Sequence, residues 1–169
     1  MRIFYALIVI FAIVGCTNNA SVEFGMNDET LFDGVAGDLG MRVLKIEVPD
    51  GDTYTAIWEG IEYVQIELQT SDFVSITNDY IDVEPRSYSR IRVTVDSLTH
   101  VQLATSTLLI DSAFAFTAEA FTPVVVSGGD ELKLVVTIGA EVWFDEDSVQ
   151  IATGHDPFEG AALRIYYDY

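Results

Sequence analysis

From residue 41 onward, apolar and polar side chains alternate with period two, the pattern of strands that bury one face. Over residues 42–48, Leu44, Ile46 and Val48 fall on one face, with Val43, Lys45 and Glu47 on the other. Pro49-Asp50-Gly51-Asp52 then supplies a turn, glycine providing positive φ and aspartate bonding its local backbone. Residues 61–68 alternate again, placing Val64, Ile66 and Leu68 opposite Tyr63, Gln65 and Glu67. Two short runs at 73–77 and 80–84, parted by Asn78-Asp79, predict a hairpin. The clearest strand is 88–96, where Ile91, Val93 and Val95 point one way and Tyr88, Arg90, Arg92 and Thr94 the other.

Residues 98–104 and 107–111 continue the theme, and 113–121 reads as a strand, although Thr117-Ala118-Glu119-Ala120-Phe121 also suits one helical turn. Pro123 opens Val124-Val125-Val126, and Ser127-Gly128-Gly129-Asp130 forms a turn. Residues 131–138 then set Leu132, Leu134, Val136 and Ile138 on a single face, and 143–144, 148–152 and 162–167 supply the last strands. Helical spacing of three and four is not sustained anywhere over ten residues. The fold class is therefore all-β, and short strands without intervening helices predict an antiparallel arrangement, with a sandwich favoured over a closed barrel. The aromatic Tyr169 invites comparison with outer-membrane barrels, but these strands are too short and irregular for that class.

The first sixteen residues follow a different rule. Met1-Arg2 carries a positive charge, residues 3–14 are an apolar run of twelve, and Gly15-Cys16 follows. That is the layout of a cleaved secretory signal, and the run is well short of the roughly 20 residues that span a bilayer as a helix. Ile13-Val14-Gly15-Cys16 resembles the lipobox of prokaryotic lipoproteins. The resemblance implies cleavage after Gly15 and lipid on Cys16, so that the membrane itself is a partner; acyl chains add about 0.8 kcal/mol per buried CH₂, and two or more hold a protein stably. It also implies an extracytoplasmic place in the cell envelope, with Thr17 at the following position favouring the outer membrane of a two-membrane host. Residues 17 to about 40 have weak periodicity and glycines at 25, 34, 37 and 40. They read as a tether with one short strand or turn near 29–35. The expected organisation is signal peptide 1–15, lipid-anchored tether 16–40 and β-domain 41–169.

Composition narrows the function classes. The formal charge is −19, and residues 1–16 hold one arginine and no acid, so the mature part is more negative still. Such a surface repels nucleic acid and anionic headgroups, which excludes nucleic acid as the expected partner. With the single cysteine committed to lipid, no disulfide remains and the apolar core must stabilise the fold.

The segment Val83-Glu84-Pro85-Arg86-Ser87-Tyr88-Ser89-Arg90-Ile91-Arg92-Val93-Thr94-Val95 and the later Ser127-Gly128-Gly129-Asp130 turn before an alternating strand resemble a family of bacterial lipoprotein domains of unknown function. The similarity covers roughly residues 41–147, and Arg86 stands where that family has glycine. It implies a lipid-anchored β-sandwich of immunoglobulin-like or transthyretin-like kind, with no catalytic residues to carry over.

Chemistry-bearing motifs are sparse. The histidines, His100 and His155, lie in no zinc pattern, and no nucleophile elbow occurs. Asp145, Glu146 and Asp147 cluster after Trp143-Phe144, and Asp156 follows in a loop; Ca²⁺ takes six to eight oxygen ligands, so these four are the candidate cation site. Tyr88, Arg90 and Arg92 are the candidate ligand platform, where an aromatic face and two guanidiniums stand on one strand. The expectation is a non-enzymatic binding, adhesion or envelope-assembly domain with an envelope protein or glycan partner. The alternative is an envelope glycan hydrolase or its accessory carbohydrate-binding domain, which calls for a clefted carboxylate pair.

Overall fold

The computed structural model describes residues 18–28, 37–68, 70–102, 105–110, 113–139, 144–145, 150–151 and 158–168. These residues are all-β and contain no helix. The strands are β1 (Ala20–Asp28), β2 (Asp38–Asp50), β3 (Thr53–Glu67), β4 (Val74–Ser75), β5 (Ile81–Val83), β6 (Arg86–Gln102), β7 (Thr105–Ile110), β8 (Phe114–Val126), β9 (Glu131–Ile138), β10 (Phe144–Asp145), β11 (Gln150–Ile151) and β12 (Ala162–Tyr166). Ten of them form one sheet with the path β3-β2-β6-β8-β12-β9-β1-β4, β5 joining β1 and β7 joining β6. The sheet curls until β3, at one end of the path, lies against β1 and β4 at the other, giving a nearly closed, barrel-like body. β10 and β11 form a separate pair.

The sheet is mixed rather than purely antiparallel. β1 runs parallel to β9 over eight residue pairs, and β12 runs parallel to β8. The longer of these two parallel pairings is made by the N-terminal strand. Ala20–Asp28, expected to be part of a tether, is an inner strand with β9 on one edge and β4 and β5 on the other. Its alternate residues Ala20, Val22, Phe24 and Met26 are all 0% exposed. They meet Leu134, Val136 and Ile138 of β9 in one core that also takes in Leu39, Met41, Ile46, Ile91, Val93 and Val95. Burial of a side chain such as Phe24 is worth about 1.5–3 kcal/mol, so this strand is part of what holds the domain together.

Irregular pairing explains where the period-two reading fails. Leu39, Met41 and Val43 are buried, and so are Ile46 and Val48; an odd-numbered set gives way to an even-numbered one. The switch occurs at Leu44, an extra residue on β2 between the pairs Val43↔Val95 and Lys45↔Thr94. A bulge of this kind inserts one residue and returns the following side chains to the core face. Val43 therefore faces the core, contrary to the alternation read from residues 42–48. The predicted break between 96 and 98 is likewise a bulge inside one 17-residue strand, with Ser97 at φ 50°. The expected hairpin of 73–77 with 80–84 does not form. Both segments pair with β1 instead, β4 against Gly25 and Met26 and β5 against Ala20, Ser21 and Val22, as one edge interrupted at Asn78 (φ 59°). Ile76 and Thr77 bridge the interruption, both backbone N–H groups donating to the Phe24 carbonyl at 2.7 and 3.3 Å.

A core role for β1 carries a measurable consequence. Phe24→Ala is expected to lower unfolding free energy by about 3–5 kcal/mol, as for other buried phenylalanines. Urea unfolding reads this directly; an unchanged midpoint would return the segment to the status of a tether.

Candidate functional site

The predicted site residues separate into three groups. Gly15, Cys16, Glu146, Asp147 and Asp156 lie outside the described residues, as does His155. Asp145 is placed by its backbone in β10, opposite Gln150. Among the described residues no group of three or more His, Cys, Asp or Glu side chains is disposed to hold a metal ion.

The third group, the Tyr88–Arg90–Arg92 platform, is split by a bulge. Between the pairs Tyr88↔Val124 and Arg90↔Glu119, Ser89 alone faces four residues of β8. Tyr88 consequently turns inward and is 2% exposed, while Arg90 stays outside. The Tyr88 hydroxyl donates to the Glu84 carbonyl at 2.7 Å, tying the start of β6 to the corner that leads into it. Burial raises the Tyr88 phenol above its ordinary pKa.

Arg90 and Arg92 converge on a different ring, Tyr54 of β3. The Arg92 guanidinium lies 4.1 Å from the ring centroid and that of Arg90 5.8 Å. Glu47 completes the arrangement: it sits across from Arg92 on β2, and its side chain is nearly buried. One carboxylate oxygen accepts from Arg92 Nε at 2.7 Å, and the other lies 3.1 Å from Lys45 Nζ. The hydrogen bond from Arg92, with help from Lys45, holds the Glu47 carboxyl below the usual carboxylate range against the opposing effect of burial. In return Glu47 raises Arg92. The bulge at Leu44 brings this cluster about, since it sets Lys45 and Glu47 in their present register with β6. Sequence alternation identified the two arginines but not the acid that fixes them.

A second feature lies across the molecule. β8 and β12 run side by side but share only the pairing Ala162↔Glu119, sealed by a hydrogen bond from Glu119 N to the Ala161 carbonyl at 3.0 Å. Beyond that point Ala120, Phe121, Thr122 and Pro123 bulge out of β8, and a groove of about 1540 Å³ opens between the two strands. Proline has no N–H for a ladder and is at home in such a bulge. The buried lining is aromatic and aliphatic. Phe116 and Phe158 meet edge-on at 4.8 Å between centroids, with Leu163 beside them in the lining. Phe158 adopts φ 60°, a left-handed conformation costly for a bulky residue and held here by burial of its ring. The rim is open and mixed: Phe121 is 106%, Val125 68% and Tyr167 60% exposed, and the charged Glu119, Glu159 and Arg164 are exposed in the same lining.

No protein-family model, curated protein or solved structure gives a significant match to this chain.

Two outcomes test the energetic difference between these features. Glu47→Gln is expected to cost about 1.5–3 kcal/mol, the worth of hydrogen bonds to charged groups. Because the folded pKa of Glu47 lies below its ordinary 4.5, that contribution is fully present above the unfolded pKa and is lost as pH falls through the folded one. The stability gap between wild type and Glu47→Gln should thus be flat at neutral pH and close in acid, as read by urea unfolding across pH. Phe121→Ser, by contrast, should change stability by no more than about 0.5 kcal/mol, as expected for a surface site; a larger loss would mean that the bulge holds the fold.

Proposed function

We propose that this chain is a lipid-anchored extracytoplasmic β-domain that serves the cell envelope as a non-catalytic binding or assembly module. The observation that carries this reading is the join between anchor and fold. Only Thr17, Asn18 and Asn19 separate Cys16 from β1, so lipid on Cys16 would hold the core itself rather than a loose leader. The signal layout, the lipobox resemblance and the single cysteine support the same reading.

At finer resolution, we propose a curled sheet related to the immunoglobulin-like or transthyretin-like sandwiches. The Tyr88 hydroxyl that bonds back to Glu84 supports this, because sandwich domains commonly fix a strand corner with a tyrosine in that manner.

The test is the intact mass of protein purified from its host membranes, alongside a Cys16→Ser form followed by fractionation. A chain beginning at Cys16 with added acyl mass, and a serine form that is uncleaved or released, are the expected results. A free thiol or a cut elsewhere would refute the reading.

A further inference from the structure

The start of β1 lies at a definite end of the domain, and the structure therefore bears on how an anchored domain would face its membrane. Asn18 and Asn19 sit on the 127–130 turn: Gly129 N donates to the Asn19 carbonyl at 3.1 Å and Ser21 N to the Asp130 carbonyl at 2.8 Å. Gly128 has no room for a side chain, because a Cβ there would run into the Asn18 carbonyl, with Pro85 alongside. Arg86 reaches the Pro49 carbonyl at 2.7 Å and brings the Gly51 turn to the same end. In sequence, Cys16 precedes Asn18 by two residues.

Next to that end lies the rim of the groove, where exposed Phe121, Val125 and Tyr167 stand among the charged Glu119, Glu159 and Arg164. Val125 is one residue from Val126, which pairs with Arg86, and Tyr167 follows Tyr166, which pairs with Lys133 near the turn. Phe121 projects from the bulge on the same strand as Val125. Asp50, Asp52, Glu84 and Asp130 occupy the turns themselves and keep the tip in water. The contact falls instead to the flank, where apolar and aromatic side chains suit the headgroup boundary.

We infer that the flank formed by Phe121, Val125 and Tyr167 rests on the lipid surface, so that the domain lies against the bilayer on its β8–β12 side. The partner is the bilayer interface, recognised by burial of these three apolar and aromatic side chains. This inference rests on the lipid-anchor reading, and its test separates the two.

The full lipidated protein carries no free thiol if Cys16 is acylated, so single cysteines take a polarity-sensitive NBD label cleanly. Phe121→Cys and Val125→Cys are compared with Glu67→Cys, an exposed position at the far end of β3, in phosphatidylcholine vesicles containing spin-labelled lipid. With acylation verified by mass, labels at 121 and 125 are expected to blue-shift and to be quenched ~2-fold or more over the label at 67, given an insertion depth of about 5–10 Å. Acylated protein whose labels at 121 and 125 are no more quenched than at 67 overturns the orientation and leaves the anchor standing. Protein without acyl mass overturns both.

Discussion

The fold depends on one long-range pairing, the parallel ladder between β1 and β9. It joins the N-terminal strand to a strand more than a hundred residues later, and it lets β4 and β5 attach to the far edge of β1. Without β1 the edge of β9 would be open, and Leu134, Val136 and Ile138 would lose the side chains they pack on. No disulfide offsets such a loss, because the chain has a single cysteine. Parallel pairing across this separation has a high loop-closure cost, which the uninterrupted core face of Ala20, Val22, Phe24 and Met26 must outweigh.

The same strand links anchoring to folding under the proposed function. A lipid held by a long polar leader would leave a domain free to rotate. A lipid three residues from a core strand would restrict it, and the surface beside the start of β1 would gain a defined relation to the membrane. The molecule carries exposed Phe121, Val125 and Tyr167 on the flank of β8 and β12, and an ion-pair cluster on the face of β2, β3 and β6. On that face, Glu47 pairs with both Arg92 and Lys45, offsetting one of their two positive charges, and Arg90 lies beside Tyr54.

The all-β class was legible in the chain because period-two alternation survives wherever a strand has one wet face, as at Val64 and Ile66 against Tyr63 and Gln65. β9 was equally plain. What the pattern could not display was local irregularity. At Leu44 and at Ser89, bulges reverse which residues face inward, and no propensity marks them; Tyr88 thereby became core while its neighbours Arg90 and Arg92 stayed outside. At Pro123 a signal did exist, since proline within a strand implies a bulge. β1 carried a signal as well, in the alternation of Ala20, Val22, Phe24 and Met26. It was obscured by Gly25, whose missing side chain makes room for the Phe73 ring, and by the polar Asn18-Asn19 ahead of it. The Glu47 cluster needed cross-strand register, which sequence spacing does not contain.

The most direct measurement is hydrogen exchange on the intact protein, resolved along β1. Amides of Val22, Phe24 and Met26 should exchange as slowly as those of Leu134 and Val136 on β9, because both strands open only when the core does. Exchange of the β1 amides at the rate of free peptide, with β9 still protected, would contradict the account and return residues 20–28 to a flexible leader.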